Sequence, residues 1–210
     1  MADPAALFDL TGRVAVVTGA SSGLGRQAAI VLAAAGTNVG GVARRQAALD
    51  SLTDEIGDAA ASVVADVADR SAITALRDAV SAPFGAPDIL VHAAGVNTRE
   101  TADEVTDAGW DATLALNLSA PFFLSQALVP AMKAKGWGRI VNFASLQTTR
   151  AFPGGIAYGA TKAGIGQLTR AMAEAWSKDG ITANAIGPGF FPTELTEAVF
   201  SDPDRAARNA

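Results

Sequence analysis

The chain has 210 residues, of which half are apolar and 18% are charged, and its formal net charge is −5. This acidic balance argues against nucleic acid as a partner, because no basic field attracts phosphates. The chain contains no cysteine and one histidine, His92, which excludes disulfides, thiolate metal sites, cysteine nucleophiles and a histidine-rich metal site.

The N-terminus is the first segment in chain order, and it does not have the pattern of a secretory signal. Residues 1–10 carry Asp3 and Asp9 and contain no apolar run. We also expect no membrane contact, because no uninterrupted apolar stretch has the length of a bilayer span. We therefore expect a cytoplasmic protein.

Short apolar runs then alternate with longer segments of helical spacing. The runs are almost continuously apolar, as expected for parallel strands with helices on both faces. Such alternation, without a linker or repeat, predicts a Rossmann-type, doubly wound α/β fold with one domain over residues 1–210. The predicted strands cover residues 14–17, 39–42, 62–65, 89–92, 140–143 and 182–186, and the predicted helices cover 24–35, 46–56, 71–80, 107–135 and 158–178.

A glycine-rich turn joins the first strand directly to the first helix. A pyrophosphate must approach backbone amides and the positive end of a helix dipole, so glycines at the closest points leave room for it. The strand-turn-helix context favours phosphate binding over the alternative of an ordinary tight loop. The predicted contacts are Gly19, Ser21, Ser22, Gly23, Leu24 and Gly25.

A tyrosine and a lysine open the last long predicted helix. Tyr158 and Lys162 stand at i and i+4, so they share one face. A free phenol has a pKa of about 10 and is a poor base at neutral pH. A neighbouring ammonium favours the phenolate, which predicts an acid–base role for the pair. The alternative is an ordinary amphipathic helix start.

The spacing of Gly19, Gly23 and Gly25 has one residue more between its first two glycines than the general dinucleotide fingerprint. With the downstream pattern, it resembles the short-chain dehydrogenase/reductase family, including members like 3-oxoacyl-acyl-carrier-protein reductases and gluconate dehydrogenases. The resemblance implies hydride transfer coupled to proton transfer by Tyr158. The implied catalytic residues are Asn117, Ser145, Tyr158 and Lys162.

The same resemblance assigns further roles. Ser145, thirteen positions before Tyr158, would hold the substrate carbonyl oxygen, and Asn117 would bind a water that relays protons from Lys162. Lys162 would also hold the nicotinamide ribose. Asp66 would bond the adenine ring, Val67 would pack against it, and Thr193 would meet the nicotinamide carboxamide. The resemblance also implies cofactor contacts at Ala94, Gly95, Asn117, Tyr158, Lys162, Pro188 and Gly189. Taken by themselves, Ser145 and Asn117 also fit a turn cap and an ordinary buried asparagine.

The end of the second predicted strand indicates the cofactor. An acidic residue there would bond the ribose hydroxyls and repel a 2′-phosphate. This chain has Ala43 followed by Arg44 and Arg45, and Arg44 can pair with a phosphate. We therefore expect NADP(H), with NAD(H) as the alternative, since Ser22 stands where NADP-preferring relatives often carry a basic residue. The alternative for the arginines is a solvated helix start.

Two features depart from the family pattern. His92 stands where the family has asparagine, and we interpret it as a structural substitute rather than a catalytic residue. The chain ends at Ala210, so we expect the family's final helix and strand to be lacking. Residues 190–200 resemble the substrate-covering loop and helix.

These patterns predict an NADP(H)-preferring oxidoreductase that interconverts a ketone and a secondary alcohol. The alternative is a non-catalytic dinucleotide-binding protein or an inactive truncated member of the family. Candidate substrates are 3-oxoacyl thioesters and sugar-derived keto acids, with Phe152, Phe190 and Phe191 as an apolar lid and Arg150 attracting an acidic substrate. We expect a homodimer or homotetramer that associates through residues 107–135 and 158–178, and no metal.

Overall fold

Six parallel strands run through the part of the chain that the computed structural model describes, residues 8–197. The first strand lies inside the sheet, the next two strands extend the sheet on one side, and the last three extend it on the other. This order confirms the predicted doubly wound Rossmann-type sheet. The strands are β1 (Val14–Thr18), β2 (Asn38–Ala43), β3 (Ala60–Val64), β4 (Ile89–His92), β5 (Gly138–Phe143) and β6 (Ile181–Ile186), in the order β3-β2-β1-β4-β5-β6.

Every predicted helix is present, with ends that differ from the prediction by a few residues. The first turn of the predicted helix 71–80 is a 3₁₀ turn, Arg70–Ala72, because the Asp69 carboxylate caps it by accepting from the Ser71 amide at 2.9 Å. The helices are α1 (Gly23–Ala34), α2 (Gln46–Ile56), α3 (Ile73–Ser81), α4 (Asp107–Leu114), α5 (Ala120–Lys135) and α6 (Ile156–Trp176).

Two apolar layers cover the two faces of the sheet. On one face, Leu49 and Leu52 of α2 and Ala29 of α1 are buried against residues of β1, β2 and β4. On the other face, α3, α5 and α6 bury apolar residues such as Leu124 and Met172 against the strands. Because both faces of the central strands are covered, β1 is buried at all five positions.

A π-helical turn, Ala115–Ser119, joins α4 to α5 inside the predicted helix 107–135. Pro121 follows it and has no amide hydrogen to donate to the carbonyl of Asn117 four residues earlier. The wider π-helical turn accommodates that missing bond, so the irregularity in the helix lies just before Pro121. Asn117 stands in the middle of this turn and is buried.

Among the described residues, one helical segment is long and apolar enough to cross a membrane by length and composition, although polar residues such as Asn117 and Gln126 interrupt it. The helical segment Asp107–Lys135 has 29 residues, and its best 18-residue window has a mean hydropathy of 1.4. Within the fold, 44% of that window is buried. Its apolar side chains, including Leu124, Leu128 and Met132, belong to the core beside α3 and α6.

The last strand of the described region is buried on one side only. Ile181 and Ala183 of β6 pack in the same layer as Met172 of α6, whereas Thr182 and Asn184 are exposed. The end of the predicted substrate-covering segment, residues 198–200, and the expected lack of a final helix and strand lie outside the described residues.

A buried carboxylate joins the start of β1 to the start of β4 and the end of α5. Asp88 is 3% exposed and accepts a hydrogen bond from the Val14 amide at 3.0 Å. Lys135 Nζ lies 3.0 Å and Arg13 Nη1 3.6 Å from its other oxygen. The charge is therefore paired on both sides where water is largely excluded.

We expect Asp88→Ala to lower the free energy of unfolding by about 2 kcal/mol, because it leaves a buried amide and a cation without their acceptor. Urea unfolding followed by circular dichroism measures the change. The matched control is Asp78→Ala, which breaks an exposed pair with Arg77 and should cost less than about 1 kcal/mol. Equal losses in the two variants would contradict the structural role of Asp88.

Candidate active site

A cleft of about 1240 Å³ opens at the carboxyl ends of the strands, where β1 and β4 lie side by side and their connections diverge. Every residue that the sequence predicts for catalysis or cofactor binding lines this cleft, except Asn117. Asn117 lies behind the wall, where its side chain bonds to the Val96 backbone. The structure therefore brings together segments that follow all six strands.

The glycine-rich turn lies at one end of the cleft, between the ends of β2 and β4. Gly19 has φ of +72°, and a Cβ at this position would lie 2.6 Å from the amide nitrogen of Ala94. A side chain there would push the turn away from the chain after β4. Ser22 is the N-cap residue of α1 but makes no side-chain capping bond, so its side chain does not occupy the first amides of α1, which form the positive end of the helix. These features fit the phosphates of a dinucleotide.

The two arginines after β2 point to different neighbours. Arg45 donates from Nη2 to the Ser21 hydroxyl at 3.1 Å. Arg44 is exposed, and its Nη1 lies 4.0 Å from the carboxylate of Asp66. Arg45 therefore brings a positive charge to the glycine-rich turn, where Ser22 occupies the position of a basic residue in many NADP-preferring relatives.

Tyr158 projects into the other end of the cleft from the first turn of α6, beside Ser145 at the end of β5. Burial raises the pKa of Tyr158 above its ordinary value of 10.0, and a hydrogen bond with the Ser145 hydroxyl opposes that rise. Ser145 Oγ also accepts from the Gln147 amide at 3.1 Å, so its own hydrogen is left to donate toward the phenol oxygen. Ser145 and Tyr158 form a pair that can hold one oxygen atom between them.

Lys162 lies one helical turn after Tyr158 and is buried. Its Nζ donates to the carbonyl of Phe143 at 2.5 Å and lies 5.5 Å from the centre of the Tyr158 ring. Burial lowers the pKa of this ammonium to about 8. The sequence predicts that the ammonium favours the phenolate and so lowers the pKa of Tyr158. In the structure the largest effect on that pKa is desolvation of the phenol, which raises it.

Asn117 is held by three hydrogen bonds. Its Oδ1 accepts from the Val96 amide at 2.9 Å, and its Nδ2 donates to the Val96 carbonyl at 2.8 Å and to Thr161 Oγ1 at 3.2 Å. A Cβ on Gly95 would lie 3.4 Å from Asn117 Oδ1 and 3.8 Å from Lys162 Nζ. The π-helical turn thus fixes the chain after β4 to α6, directly beside the lysine.

His92 lies beneath the site at the end of β4. Its Nε2 is 2.9 Å from Ser125 Oγ, and Ser125 donates its only hydroxyl hydrogen to the Pro121 carbonyl at 2.7 Å. The network therefore assigns the ring hydrogen to Nε2. Complete burial lowers the pKa of His92 to about 3, so the ring stays neutral at physiological pH. This agrees with the interpretation of His92 as a structural substitute.

Three residues that sequence reasoning missed hold the site together. Thr161 anchors Asn117, and Thr148 joins the backbone of Ser145 to that of Lys162 through bonds of 3.3 and 3.1 Å. Glu194 reaches across the cleft to Ser22 and Arg45. Thr161 and Glu194 adjoin residues that the sequence does predict, Lys162 and Thr193, and that adjacency is the only signal they carry.

Aromatic residues line the mouth of the cleft on the Tyr158 side. The rings of Phe152 and Phe190 meet edge to face, with centroids 5.8 Å apart, while Phe191 is 51% exposed. The Arg150 guanidinium lies 6.0 Å from the centre of the Phe152 ring. This end of the cleft therefore combines an apolar wall with a cation at its edge.

The fold and the cleft together define a protein of the dinucleotide-binding class, with the candidate acid–base residues at the other end of the cleft from the glycine-rich turn. Comparison with known proteins gives the family: the model of the short chain dehydrogenase family matches residues 13–204. The chain belongs to the short-chain dehydrogenase family, and the expected NAD(P)-dependent oxidoreductase is thereby confirmed.

Individual relatives cover nearly the whole chain. Gluconate 5-dehydrogenase of Gluconobacter oxydans is 37% identical over 94% of this chain and 78% of its own length. The 3-oxoacyl-acyl-carrier-protein reductase of Escherichia coli is 36% identical over 95% of this chain and 81% of its own. A crystal structure of gluconate 5-dehydrogenase from Burkholderia cenocepacia, in complex with NADP and tartrate, superposes with a TM-score of 0.90 at 36% identity, covering 96% of this chain and 80% of that one.

Tyr158 is the only tyrosine in the chain, so phenolate absorbance in the ultraviolet reports its titration directly. Because burial raises its pKa, we expect the midpoint of a pH titration without cofactor to lie above 10.0. Adding NADP⁺ should lower that midpoint, because a nearby positive charge favours the phenolate. The Tyr158→Phe variant supplies the baseline, and a midpoint at or below 10.0 before cofactor is added would contradict the dominance of burial.

Proposed function

We propose that this protein is an NADP(H)-preferring oxidoreductase that interconverts a ketone and a secondary alcohol, with Tyr158 as general acid and base. The observation that carries the proposal is the arrangement of one cleft: a phosphate-binding turn stands at one end, and Tyr158, Ser145 and Lys162 stand at the other. Family membership and relatives named as dehydrogenases and reductases support it.

Tyr158 and Ser145 act on the oxygen of the substrate. In the direction of reduction, the neutral phenol donates a proton to the oxygen that becomes the alcohol, and Ser145 donates a hydrogen bond to the same oxygen. The raised pKa of Tyr158 keeps the phenol protonated at neutral pH, which suits this direction. In oxidation the phenolate must form first, and it accepts the proton of the alcohol while Ser145 donates to the same alcohol oxygen.

Lys162 and Asn117 support the tyrosine from behind. The Lys162 ammonium, 5.5 Å from the phenol ring, favours the phenolate that remains after proton donation and can bond a ribose hydroxyl. Three hydrogen bonds hold the Asn117 side chain. Pro121 has no amide hydrogen to donate to the Asn117 backbone carbonyl, so this carbonyl can hold a water for proton relay. When bound, the nicotinamide supplies or accepts the hydride.

The residues after β2 favour NADP(H). Ala43 ends the strand where a carboxylate would repel a 2′-phosphate, and Arg44 and Arg45 line the cleft next to it. Asp66 and Val67 stand at the adenine end of the same cleft, and Pro188 and Gly189 border the nicotinamide end. Thr193, which the family resemblance assigns to the nicotinamide carboxamide, lies against Gly23 of the glycine-rich turn instead. The gluconate 5-dehydrogenase of Burkholderia cenocepacia was solved with NADP, which supports the same cofactor here.

The substrate class we propose is a polyhydroxy acid or its keto form. Relatives named gluconate 5-dehydrogenase and 2-dehydro-3-deoxy-D-gluconate 5-dehydrogenase support it, and Arg150 at the edge of the cleft offers a cation for a carboxylate. The 3-oxoacyl thioester is the second candidate, because the Phe152–Phe190 wall is apolar. We further propose a cytoplasmic homodimer or homotetramer, associated through α4, α5 and α6.

Replacing Tyr158 by phenylalanine tests the catalytic assignment. We expect kcat on a panel of keto acids and 3-oxoacyl esters to fall by about 10² to 10⁴, because the proton donor is lost. The Kd for NADPH, read from nicotinamide fluorescence, should change less than about twofold. Retained turnover would exclude Tyr158 as the acid, whereas wild-type protein that binds NADPH without any turnover would support a non-catalytic dinucleotide-binding protein.

Titration with NADPH and NADH tests the cofactor assignment. We expect wild type to bind NADPH more tightly, and Arg44→Ala and Arg45→Ala each to weaken NADPH by about tenfold with little effect on NADH, because only NADPH carries the 2′-phosphate. The control is Arg77→Ala, outside the cleft. Equal affinity for the two cofactors in wild type would overturn the preference for NADP(H).

A further inference from the structure

We propose that Glu194 is a cofactor-specificity residue whose carboxylate competes with the 2′-phosphate of NADP(H) for Arg45 and the hydroxyls of the glycine-rich turn. This inference rests on the proposed function, because it assigns a second determinant to the same cofactor site. Glu194 lies on the segment that follows β6 and lines the cleft near the start of α2.

The contacts of Glu194 are those of a bound anion. Its Oε1 accepts from Arg45 Nη1 at 3.1 Å, and its Oε2 accepts from Arg45 Nη2 at 3.0 Å, which is the two-pronged geometry that guanidinium makes with carboxylate or phosphate. Oε2 also accepts from the Ser22 hydroxyl at 3.1 Å. Arg45 Nη2 at the same time donates to Ser21 Oγ at 3.1 Å.

These donors are the ones available to a 2′-phosphate. The end of β2 is where the adenosine ribose is recognised in this fold, and Ala43 leaves that position without a carboxylate. Arg45 is the arginine there that turns back to the glycine-rich turn. A phosphate that binds the Arg45 guanidinium must therefore displace the Glu194 carboxylate from it. The phosphate then lies beside the negative charge of that carboxylate.

The placement of Glu194 is set by its own segment. Thr193 precedes a 3₁₀ turn, Glu194–Thr196; its amide donates to Thr196 Oγ1 at 3.0 Å, and the Thr196 amide donates to the Thr193 carbonyl at 3.0 Å. Thr193 Cγ2 lies 3.2 Å from the position of a Cβ on Gly23, so the segment rests directly on the glycine-rich turn. The hydrogen bonds from Arg45 lower the pKa of Glu194, so the carboxylate is charged at the pH where the cofactor binds.

Arg44 does not share this competition. It points away from Glu194, toward Asp66, at the limit of an ion-pair distance. In this site the Arg45 guanidinium is therefore bonded to Glu194, whereas Arg44 lies near Asp66 at the adenine end. NADH lacks the 2′-phosphate, so its binding does not require Arg45 to exchange partners.

The test is the variant Glu194→Gln, which keeps the size of the side chain and removes its charge. Kd values for NADPH and NADH are measured by nicotinamide fluorescence on the full chain. We expect the ratio of Kd for NADH to Kd for NADPH to rise by about tenfold, as removal of a like charge close to a phosphate predicts. Glu197→Gln is the matched control: it removes one exposed charge from the same segment and should leave the ratio unchanged within about twofold.

An unchanged or lower ratio in Glu194→Gln would overturn the proposal, because it would mean that Glu194 does not oppose the phosphate or that it positions Arg45 for it. Equal tightening of both cofactors would also overturn it, by showing simple obstruction of the cleft. If wild type binds neither cofactor, the proposed function fails, and calorimetry with adenosine 2′,5′-bisphosphate then tests the site by itself. Tighter binding of that probe by Glu194→Gln than by wild type supports the competition, and equal binding or none overturns it.

Discussion

The contact between the turn after β1 and the chain after β4 is the constraint on which the cleft depends. Gly19 lies so close to Ala94 that no side chain fits between them. The Gly19 amide donates to the Val42 carbonyl at 2.9 Å, and the Ala94 amide donates to Thr18 Oγ1 at 3.3 Å. The turn is thereby tied to the ends of both neighbouring strands, and the start of α1 is aimed into the space where the two halves of the sheet diverge.

The Tyr158 end of the cleft depends on a set of hydrogen-bonded polar groups that are buried or partly buried. Asn117 joins the chain after β4 to Thr161 on α6, and Thr148 joins the Ser145 backbone to Lys162. A buried polar group is tolerated only when its partners are in place. The same bonds that satisfy these groups therefore also set the relative position of the phenol, the hydroxyl and the ammonium.

Charge in this site is controlled mainly by the exclusion of water. Burial raises the pKa of Tyr158 and lowers that of Lys162 to about 8, so both shifts favour the neutral forms. His92 shows the same effect more strongly, with a pKa of about 3. Such a site gains most from the positive charge of an oxidised cofactor, because electrostatic interactions are stronger where water is absent.

The sequence by itself determined the strands, the helices, the glycine-rich turn and the Tyr158–Lys162 pair, since each is a local pattern with a fixed spacing along the chain. It also predicted the residues that line the cleft, with Asn117 lying behind its wall. Only the tertiary structure reveals the order of the strands, the π-helical turn at Asn117 and the upward shift of the Tyr158 pKa. The bonds of Glu194 to Ser22 and Arg45 join residues 172 and 149 positions apart. No propensity or periodicity encodes such a pairing, because it arises only when the segment after β6 is folded onto the turn after β1.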